Sequence, residues 1–284
     1  MINKTPLGIA FFDAEYGGVF RDRSLLVTGR SGAGKTKLGL QFMAQGLRSQ
    51  ERGLMLSTER AVDLAIMADA LDIPVSGAIE TGAFTVLEYN EFVPGRDHEA
   101  SIMLPPDGFV QLKQIIETNA IQRVVIDTVL PWITLPDPTH LAEHLFSLVR
   151  AFERLGVTTL FTLAQPVSAA ASRLRKMLED VVPISITLQY EPATGARHWL
   201  VNKYLGLNPK ADSVRYDILP KKGIVPHPPA AVGVGERPVA PAPGPAPGRD
   251  KVRPTSFASL VLNQSVGASR SAAQGGAGSG RSGP

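Results

Sequence analysis

A glycine-rich segment followed by a lysine and a threonine is the clearest chemical signal in this sequence. Its pattern is G-x-x-x-x-G-K-T, in which glycines let successive backbone N–H groups turn inward around an anion. The pattern is typical of a loop that binds the phosphates of a nucleoside triphosphate. The residues of this predicted phosphate loop are Gly29, Arg30, Ser31, Gly32, Ala33, Gly34, Lys35 and Thr36.

The neighbours of the predicted phosphate loop give it the context that such a loop requires. An apolar strand pattern at 25–27 precedes it, and a helix pattern begins at Lys35. That helix would point its positive end at the bound phosphates. We therefore expect Lys35 to neutralise the β- and γ-phosphates and Thr36 to place its hydroxyl on Mg²⁺.

Asp127 closes a second apolar strand pattern, at 124–126. A phosphate loop needs another carboxylate to hold its metal, usually at the end of a buried strand where the site is dry and rigid. Asp127 is therefore predicted to bind Mg²⁺, directly or through water. A helix cap or a turn residue is the alternative, although no helix pattern begins immediately after Thr128.

Glu59 follows a third strand pattern, at 54–57. In an open α/β sheet the nucleotide lies at the carboxyl ends of the strands, so the Glu59 carboxylate would project toward it. We expect Glu59 to orient or deprotonate the attacking water. A surface salt bridge with Arg60 or Arg52 is the alternative.

The elements that must position these residues alternate between strand and helix patterns up to Pro226. This alternation predicts an α/β fold with a central, mostly parallel sheet. The predicted strands are 24–27, 53–57, 84–87, 123–126 and 158–163, and the predicted helices are 35–50, 60–70, 108–118 and 139–155. Three further patterns, at 184–189, 199–203 and 214–219, predict antiparallel strands that close the sheet.

The composition changes sharply after Pro226. Residues 227–284 hold 9 prolines and 10 glycines in 58 positions, so they cannot bury enough surface to offset chain entropy. We therefore expect one ATPase-sized domain at 1–226 and a disordered tail at 227–284. An apolar island at 257–262 could dock on a protein partner, and a chance cluster is the alternative.

Composition and charge exclude several classes of protein. The chain has no cysteine, which removes a disulfide scaffold, a thiolate zinc site and a cysteine nucleophile. No segment resembles a membrane span or a signal sequence, so a cytoplasmic location without membrane contact is the expectation. The net charge is +3, of which the tail carries +4 and the body −1, so electrostatics give little reason to expect nucleic acid as the main ligand.

The order and spacing of these features resemble the KaiC branch of the RecA-like ATPases over about 5–225. The shared segments are 17–21, the phosphate loop, 57–60, 123–128 and 200–225. The resemblance implies a RecA-like fold, ATP and Mg²⁺ as ligands, and nucleotide bound between adjacent subunits of a homo-oligomer, either a hexameric ring or a filament. It also implies that Lys203, from a K-x-R element, reaches the nucleotide of the neighbouring subunit.

The sequence departs from this family pattern in two places. Clock ATPases carry two adjacent glutamates where this chain has Thr58 and Glu59. Leu205 stands where the K-x-R element has arginine. Since an arginine that stabilises transition-state charge can be worth roughly a thousandfold in rate, we expect slow hydrolysis. Arg197, from the same hairpin, could compensate.

Gln165 follows the strand pattern at 158–163, where RecA-like proteins sense the γ-phosphate and signal to a mobile loop. Its amide could donate to the phosphate and accept from the loop, or it could be a plain polar strand end. The segment at 167–178 that follows carries Arg173, Arg175 and Lys176. In recombinases this region touches DNA; a solvated, basic helix start is the alternative, and the segment has no aromatic residue for base stacking.

The pattern as a whole predicts a Mg²⁺-dependent ATPase that uses its nucleotide state to switch a partner interaction. Two other functions stay open from sequence. One is a nucleotide-gated scaffold with negligible turnover, whose tail recruits a client protein. The other is a recombinase-like protein that binds single-stranded DNA, for which affinity would fall steeply with salt.

Overall fold

The computed structural model describes residues 3–88, 106–129, 140–209 and 212–228. A short antiparallel pair, β1 (Lys4–Thr5) and β2 (Val19–Phe20), lies at the amino end. Apart from 227 and 228, the predicted disordered tail, with its apolar island at 257–262, lies outside the described residues. The domain boundary at 226 also stays a prediction.

A nine-stranded sheet forms the centre of the fold, in the order β11-β10-β9-β8-β3-β7-β6-β4-β5. The strands from β3 to β8 pair in parallel, and β8 to β11 pair antiparallel. The predicted fold class is confirmed. The strands are β3 (Ser24–Gly29), β4 (Arg52–Ser57), β5 (Phe84–Glu88), β6 (Ile121–Asp127), β7 (Thr158–Ala164), β8 (Ile184–Tyr190), β9 (Arg197–Tyr204), β10 (Val214–Leu219) and β11 (Gly223–Pro226).

Helices cover both faces of this sheet, as expected when parallel strands are joined by helical crossovers. The helices are α1 (Ala10–Tyr16), α2 (Lys35–Arg48), α3 (Ala61–Ala70), α4 (Val75–Glu80), α5 (Pro106–Thr118), α6 (Leu141–Arg154) and α7 (Ala169–Val181). One core cluster joins α5, α6 and α7 to one face of the sheet. Helix α2 lies on the opposite face, where a Cβ on Gly39 would stand 3.1 Å from the side chain of Val125.

A buried arginine fixes the amino-terminal segment against the sheet. Arg123 is 1% exposed and pairs with Glu51 at 2.5 Å, and its other nitrogens donate to the Pro6 and Phe42 carbonyls and to the Thr5 hydroxyl. Burial lowers the pKa of Arg123, and the hydrogen bond that Arg123 donates to Glu51 opposes that shift. Each of the three guanidinium nitrogens donates at least one hydrogen bond, which makes the burial of this charge tolerable.

The sequence placed most long elements within two or three residues of their observed bounds and missed the short ones. The helix predicted at 35–50 spans Lys35–Arg48, and the strand predicted at 24–27 extends to Gly29. Helices α1 and α4 and strands β1, β2 and β11 had no clear periodicity, because elements of two to seven residues are too short to show one. No helix among the described residues is long and apolar enough to cross a membrane.

Candidate nucleotide site

The phosphate loop lies at the carboxyl end of β3 and at the amino end of α2, as predicted. Gly34 caps α2 with φ of 102°, a conformation that residues with a side chain rarely adopt. At Gly29 a Cβ would stand 2.4 Å from the Leu188 carbonyl oxygen of β8. Glycine is therefore required at both positions, by backbone conformation at one and by close strand approach at the other.

Lys35 folds back over the loop that it follows. Its Nζ donates to the carbonyls of Gly29 at 2.9 Å and Arg30 at 3.1 Å. Burial lowers the pKa of Lys35, and the negative charge of Asp127 opposes this shift. The ammonium therefore lies where a phosphate group would meet it, between the loop and the nearest carboxylate.

Thr36 and Asp127 meet directly, although 91 positions separate them in the chain. The Thr36 hydroxyl donates to Asp127 Oδ2 at 2.7 Å, and the Thr162 hydroxyl donates to Asp127 Oδ1. Asp127 is 6% exposed and ends β6, whose register places it beside Ser57 of β4. Its carboxylate accepts from two threonine hydroxyls across the sheet edge, and its metal role stays a prediction.

The chemistry of this pair fits Mg²⁺, which prefers oxygen ligands and usually takes one or two carboxylates together with phosphates and water. Among the residues that the structure describes, no group of three acidic or histidine side chains could hold a metal alone. A metal at Thr36 and Asp127 would therefore depend on phosphate oxygens to complete its coordination.

Glu59 lies just beyond the end of β4, close in register to Asp127. The Thr58 N–H donates to the Asp127 carbonyl at 3.0 Å, and the Glu59 N–H donates to Ser57 Oγ at 3.1 Å. The Glu59 side chain is exposed at this edge. Its predicted alternative partner Arg60 instead forms a bidentate pair with Asp63, at 2.8 and 3.2 Å.

Arg52, the other alternative partner of Glu59, lies at the opposite end of β4. Its guanidinium donates to the Asn119 carbonyl at 3.2 Å. The geometry leaves the Glu59 carboxylate on the nucleotide edge of the sheet, and its role in orienting water stays a prediction.

Gln165 directly follows β7 and touches the phosphate loop through its backbone. Its N–H donates to the Gly29 carbonyl at 3.0 Å, while its side chain is exposed. The segment after it is helix α7, and Ser168 caps this helix by accepting from the Ala171 N–H at 3.1 Å. Most of the segment at 167–178 is therefore helical, and its contact with DNA stays a prediction. A sensing role for Gln165 stays a prediction.

Lys203 lies far from the phosphate loop of its own chain. Its partner in β8 is Ser185, which pairs with Leu26 of β3, whereas Gly29 pairs with Leu188. Lys203 is therefore level with Leu26, three residues along β3 from Gly29, which is about 10 Å at the usual rise per residue. The Lys203 Nζ donates to the carbonyls of Glu179 and Asp180, where α7 ends.

Arg197 stands at the other end of β9, against its own phosphate loop. Its Nε donates to the Gly32 carbonyl at 3.2 Å, and its guanidinium lies 4.7 Å from the centre of the Tyr190 ring. The two ends of β9 therefore place Arg197 and Lys203 at opposite edges of the sheet.

The antiparallel strands supply contacts to the loop that the sequence did not predict. The Tyr216 hydroxyl donates to the Ala33 carbonyl at 2.6 Å, and burial raises the pKa of Tyr216, so this proton is retained. Ile218 and Tyr190 pack against Gly34 and Gly32. The sequence predicted an antiparallel strand at 214–219 but not which residues its side chains contact, because those contacts depend on how the strand packs against the phosphate loop.

Comparison with known proteins agrees with this geometry. A family model described as "ATPase: KaiC" matches residues 5–231. The chain belongs to the KaiC family of ATPases. The predicted family is confirmed, and membership makes the chain a KaiC-like, RecA-type P-loop protein that binds ATP.

The KaiC proteins to which the chain is similar are longer than the matched region. The circadian clock oscillator protein KaiC of Prochlorococcus marinus (strain MED4) is 27% identical over 166 residues, 57% of this chain and 32% of that protein. KaiC of Synechococcus elongatus is 29% identical over 161 residues, 54% of this chain and 30% of that protein. The chain thus spans about a third of the length of these relatives.

A solved structure supports the fold. The KaiC-like protein PH0186 of Pyrococcus horikoshii OT3 superposes with a TM-score of 0.64 at 22% identity, covering 80% of this chain and all of that one. At this identity the similarity concerns the fold alone.

Proposed function

We propose that this chain is a cytoplasmic, Mg²⁺-dependent ATPase that binds ATP where copies of the chain meet, hydrolyses it slowly and switches a partner interaction. The observation that carries the proposal is the meeting of Lys35, Thr36 and Asp127 at one end of the sheet. A cation, a hydroxyl and a carboxylate at the amino end of a helix are the groups that a Mg–ATP complex needs.

Each group has a distinct role in this proposal. The loop amides and Lys35 bind the phosphates, while Thr36 and Asp127 hold Mg²⁺, which supplies charge neutralisation when bound. Thr162 keeps the Asp127 carboxylate oriented. Glu59 orients the attacking water from the exposed edge beyond β4.

Two features support slow turnover. Thr58 precedes Glu59, so a single carboxylate stands at this point of the chain. Leu205 is 52% exposed and brings no charge to the surface beside Lys203. The negative charge of the transition state is therefore stabilised less than it would be by an arginine at position 205.

The position of Lys203 supports an intersubunit site. It lies at the amino edge of the parallel strands, whereas its own phosphate loop lies at the carboxyl edge. A lysine side chain cannot span that separation, so contact with nucleotide requires a second copy. The contact between copies would then join unlike surfaces.

Calorimetry of the full chain with ATP and Mg²⁺ tests the binding site. Lys35→Ala should abolish or strongly weaken the heat of association, because it removes the charge that meets the phosphates. Lys113→Ala, which changes an exposed lysine on α5, should bind as the wild type does. Equal binding by wild type and Lys35→Ala would dismiss the site.

Turnover and assembly test the rest of the proposal. Glu59→Gln should retain ATP binding and slow hydrolysis at least tenfold, since general-base catalysis contributes about 10²–10⁴. The mass in solution should rise when ATP and Mg²⁺ are added. An unchanged mass with bound nucleotide would remove the intersubunit site from the proposal and leave ATP binding intact.

A further inference from the structure

The carboxyl end of α7 holds Lys203 through backbone carbonyls. The Lys203 Nζ donates to Glu179 O at 2.8 Å and to Asp180 O at 2.9 Å. Carbonyls at the end of a helix carry partial negative charge, which favours a cation there. An ammonium group has three N–H donors, so one is left for a further acceptor.

The Glu179 side chain fixes this end of α7 to the sheet. Its Oε1 accepts from the Ser185 hydroxyl of β8 at 2.8 Å and from the Asn202 amide of β9 at 3.2 Å. Ser185 is fully buried, and it is the strand partner of Lys203. The carboxylate therefore connects the last turn of α7 to β9, which carries Lys203, and to the neighbouring strand β8.

A line of polar contacts continues from this point toward the phosphate loop. The Asn202 amide also donates to Thr187 Oγ1 at 2.7 Å, and the Thr187 and Thr28 hydroxyls are 3.0 Å apart. Thr28 directly precedes the loop residue Gly29. The position of the α7 end is thus set by side chains within the sheet rather than by the helix alone.

We propose that Glu179 is a positioning residue for Lys203. Its carboxylate holds the α7 end in place, and the carbonyls at that end orient the ammonium so that its remaining donor faces a phosphate oxygen of the next copy. The inference rests on the proposed function, since it assigns Lys203 to a neighbouring nucleotide. Glu179 itself touches neither nucleotide nor water.

Lysine is a suitable target for such control, because its four-carbon side chain has many rotamers and must be held to act at one point. A displacement of about 1 Å at a reacting centre can cost about 100-fold in rate. Loss of the Glu179 carboxylate keeps the backbone carbonyls of 179 and 180 but removes the contacts that hold them in place.

Steady-state ATP turnover and ATP-dependent mass, measured on the full chain, test the proposal. We expect Glu179→Ala to lower kcat about tenfold, a fraction of the cost of full misplacement. Glu179→Gln keeps an acceptor for Ser185 and Asn202 and should rescue turnover. Glu117→Ala is the matched control, because it removes an exposed carboxylate of α5 that pairs with Lys113, and it should turn over as the wild type does.

A double substitution separates positioning from general damage to the fold. Glu179→Ala combined with Lys203→Ala should be no slower than Lys203→Ala alone, because Glu179 acts through Lys203. Asn202→Ala combined with Lys203→Ala should likewise be no slower than Lys203→Ala alone. If a urea titration shows that Glu179→Ala is unfolded, Asn202→Ala takes its place in the comparison. Wild-type turnover in Glu179→Ala, or losses that multiply in the double variant, would overturn the proposal.

The same series distinguishes this inference from the proposed function. If Lys203→Ala turns over and assembles as the wild type does, the intersubunit lysine is wrong and the positioning role is overturned with it. If Lys203→Ala is impaired and Glu179→Ala is not, only the positioning role is overturned. If wild-type protein binds ATP without turnover, the ATP-dependent mass of each variant replaces kcat in the same comparisons.

Discussion

Replacement of Gly34 by alanine tests how closely β10 packs on the phosphate loop. Gly34 has φ of 102°, and a Cβ there would stand 2.6 Å from Cδ1 of Ile218. The backbone conformation costs a residue with a side chain about 1–2 kcal/mol. Overpacking costs about 1–3 kcal/mol, and we take the lower end because a terminal methyl can rotate away. Gly34→Ala should therefore lower the free energy of unfolding by about 2–3 kcal/mol.

The two costs can be separated with a second substitution. Ile218→Val removes Cδ1 and should cost about 0.5–1 kcal/mol by itself, because Ile218 is only partly buried. In the double variant the steric cost disappears and the backbone cost remains. The summed loss of the single variants should therefore exceed the loss of the double variant by about 1 kcal/mol.

Equilibrium unfolding in urea, followed by circular dichroism, measures these free energies. Gly77→Ala is the control, because Gly77 lies in helix α4 with nothing within 4 Å of a Cβ. It should stabilise the protein by about 0.5–1 kcal/mol. Additive losses for Gly34→Ala and Ile218→Val would show that β10 does not press on the loop, and the packing argument would be refuted.

Three further predictions concern single contacts. Asp127→Asn should keep a hydrogen bond with Thr162. It should lower the pKa of Lys35 further, because it removes the negative charge that opposes the effect of burial. Calorimetry should show that the ATP affinity of this variant no longer responds to Mg²⁺. Arg123→Met should lower the free energy of unfolding, measured by urea titration, by about 3 kcal/mol. This is the lower end for a broken buried ion pair, because Arg21 still pairs with Glu51. ATP affinity should be unchanged. Tyr216→Phe should lower the free energy of unfolding by about 1–2 kcal/mol, because the buried Ala33 carbonyl loses its hydrogen-bond donor. An unchanged midpoint of thermal unfolding would contradict that contact.

The sequence predicted that the phosphate loop and Asp127 lie at one end of the sheet because its signals are local. A phosphate loop is eight consecutive residues, and Asp127 is marked by the apolar strand that it ends. Parallel topology then brings strand ends together, so the contact between Thr36 and Asp127 could be expected across 91 positions.

The supporting contacts could not be predicted, because they depend on how elements pack. Nothing local indicates that the carboxyl end of α7 receives Lys203, or that Tyr216 reaches the phosphate loop. Arg197 illustrates the limit most clearly. The sequence suggested that it could replace an arginine from the neighbouring copy, whereas the structure places it on the Gly32 carbonyl of its own loop.

If Lys203 contacts the nucleotide of a neighbouring copy, as proposed, its separation from its own phosphate loop gives an assembly of these chains a polarity. In an open row, one terminal copy would have a nucleotide without a lysine donor, and the copy at the far end would have a lysine without a nucleotide to serve. A closed ring has no such ends. Because an open row of n copies completes n − 1 composite sites, activity per copy should rise as (n − 1)/n and approach the value of a closed ring.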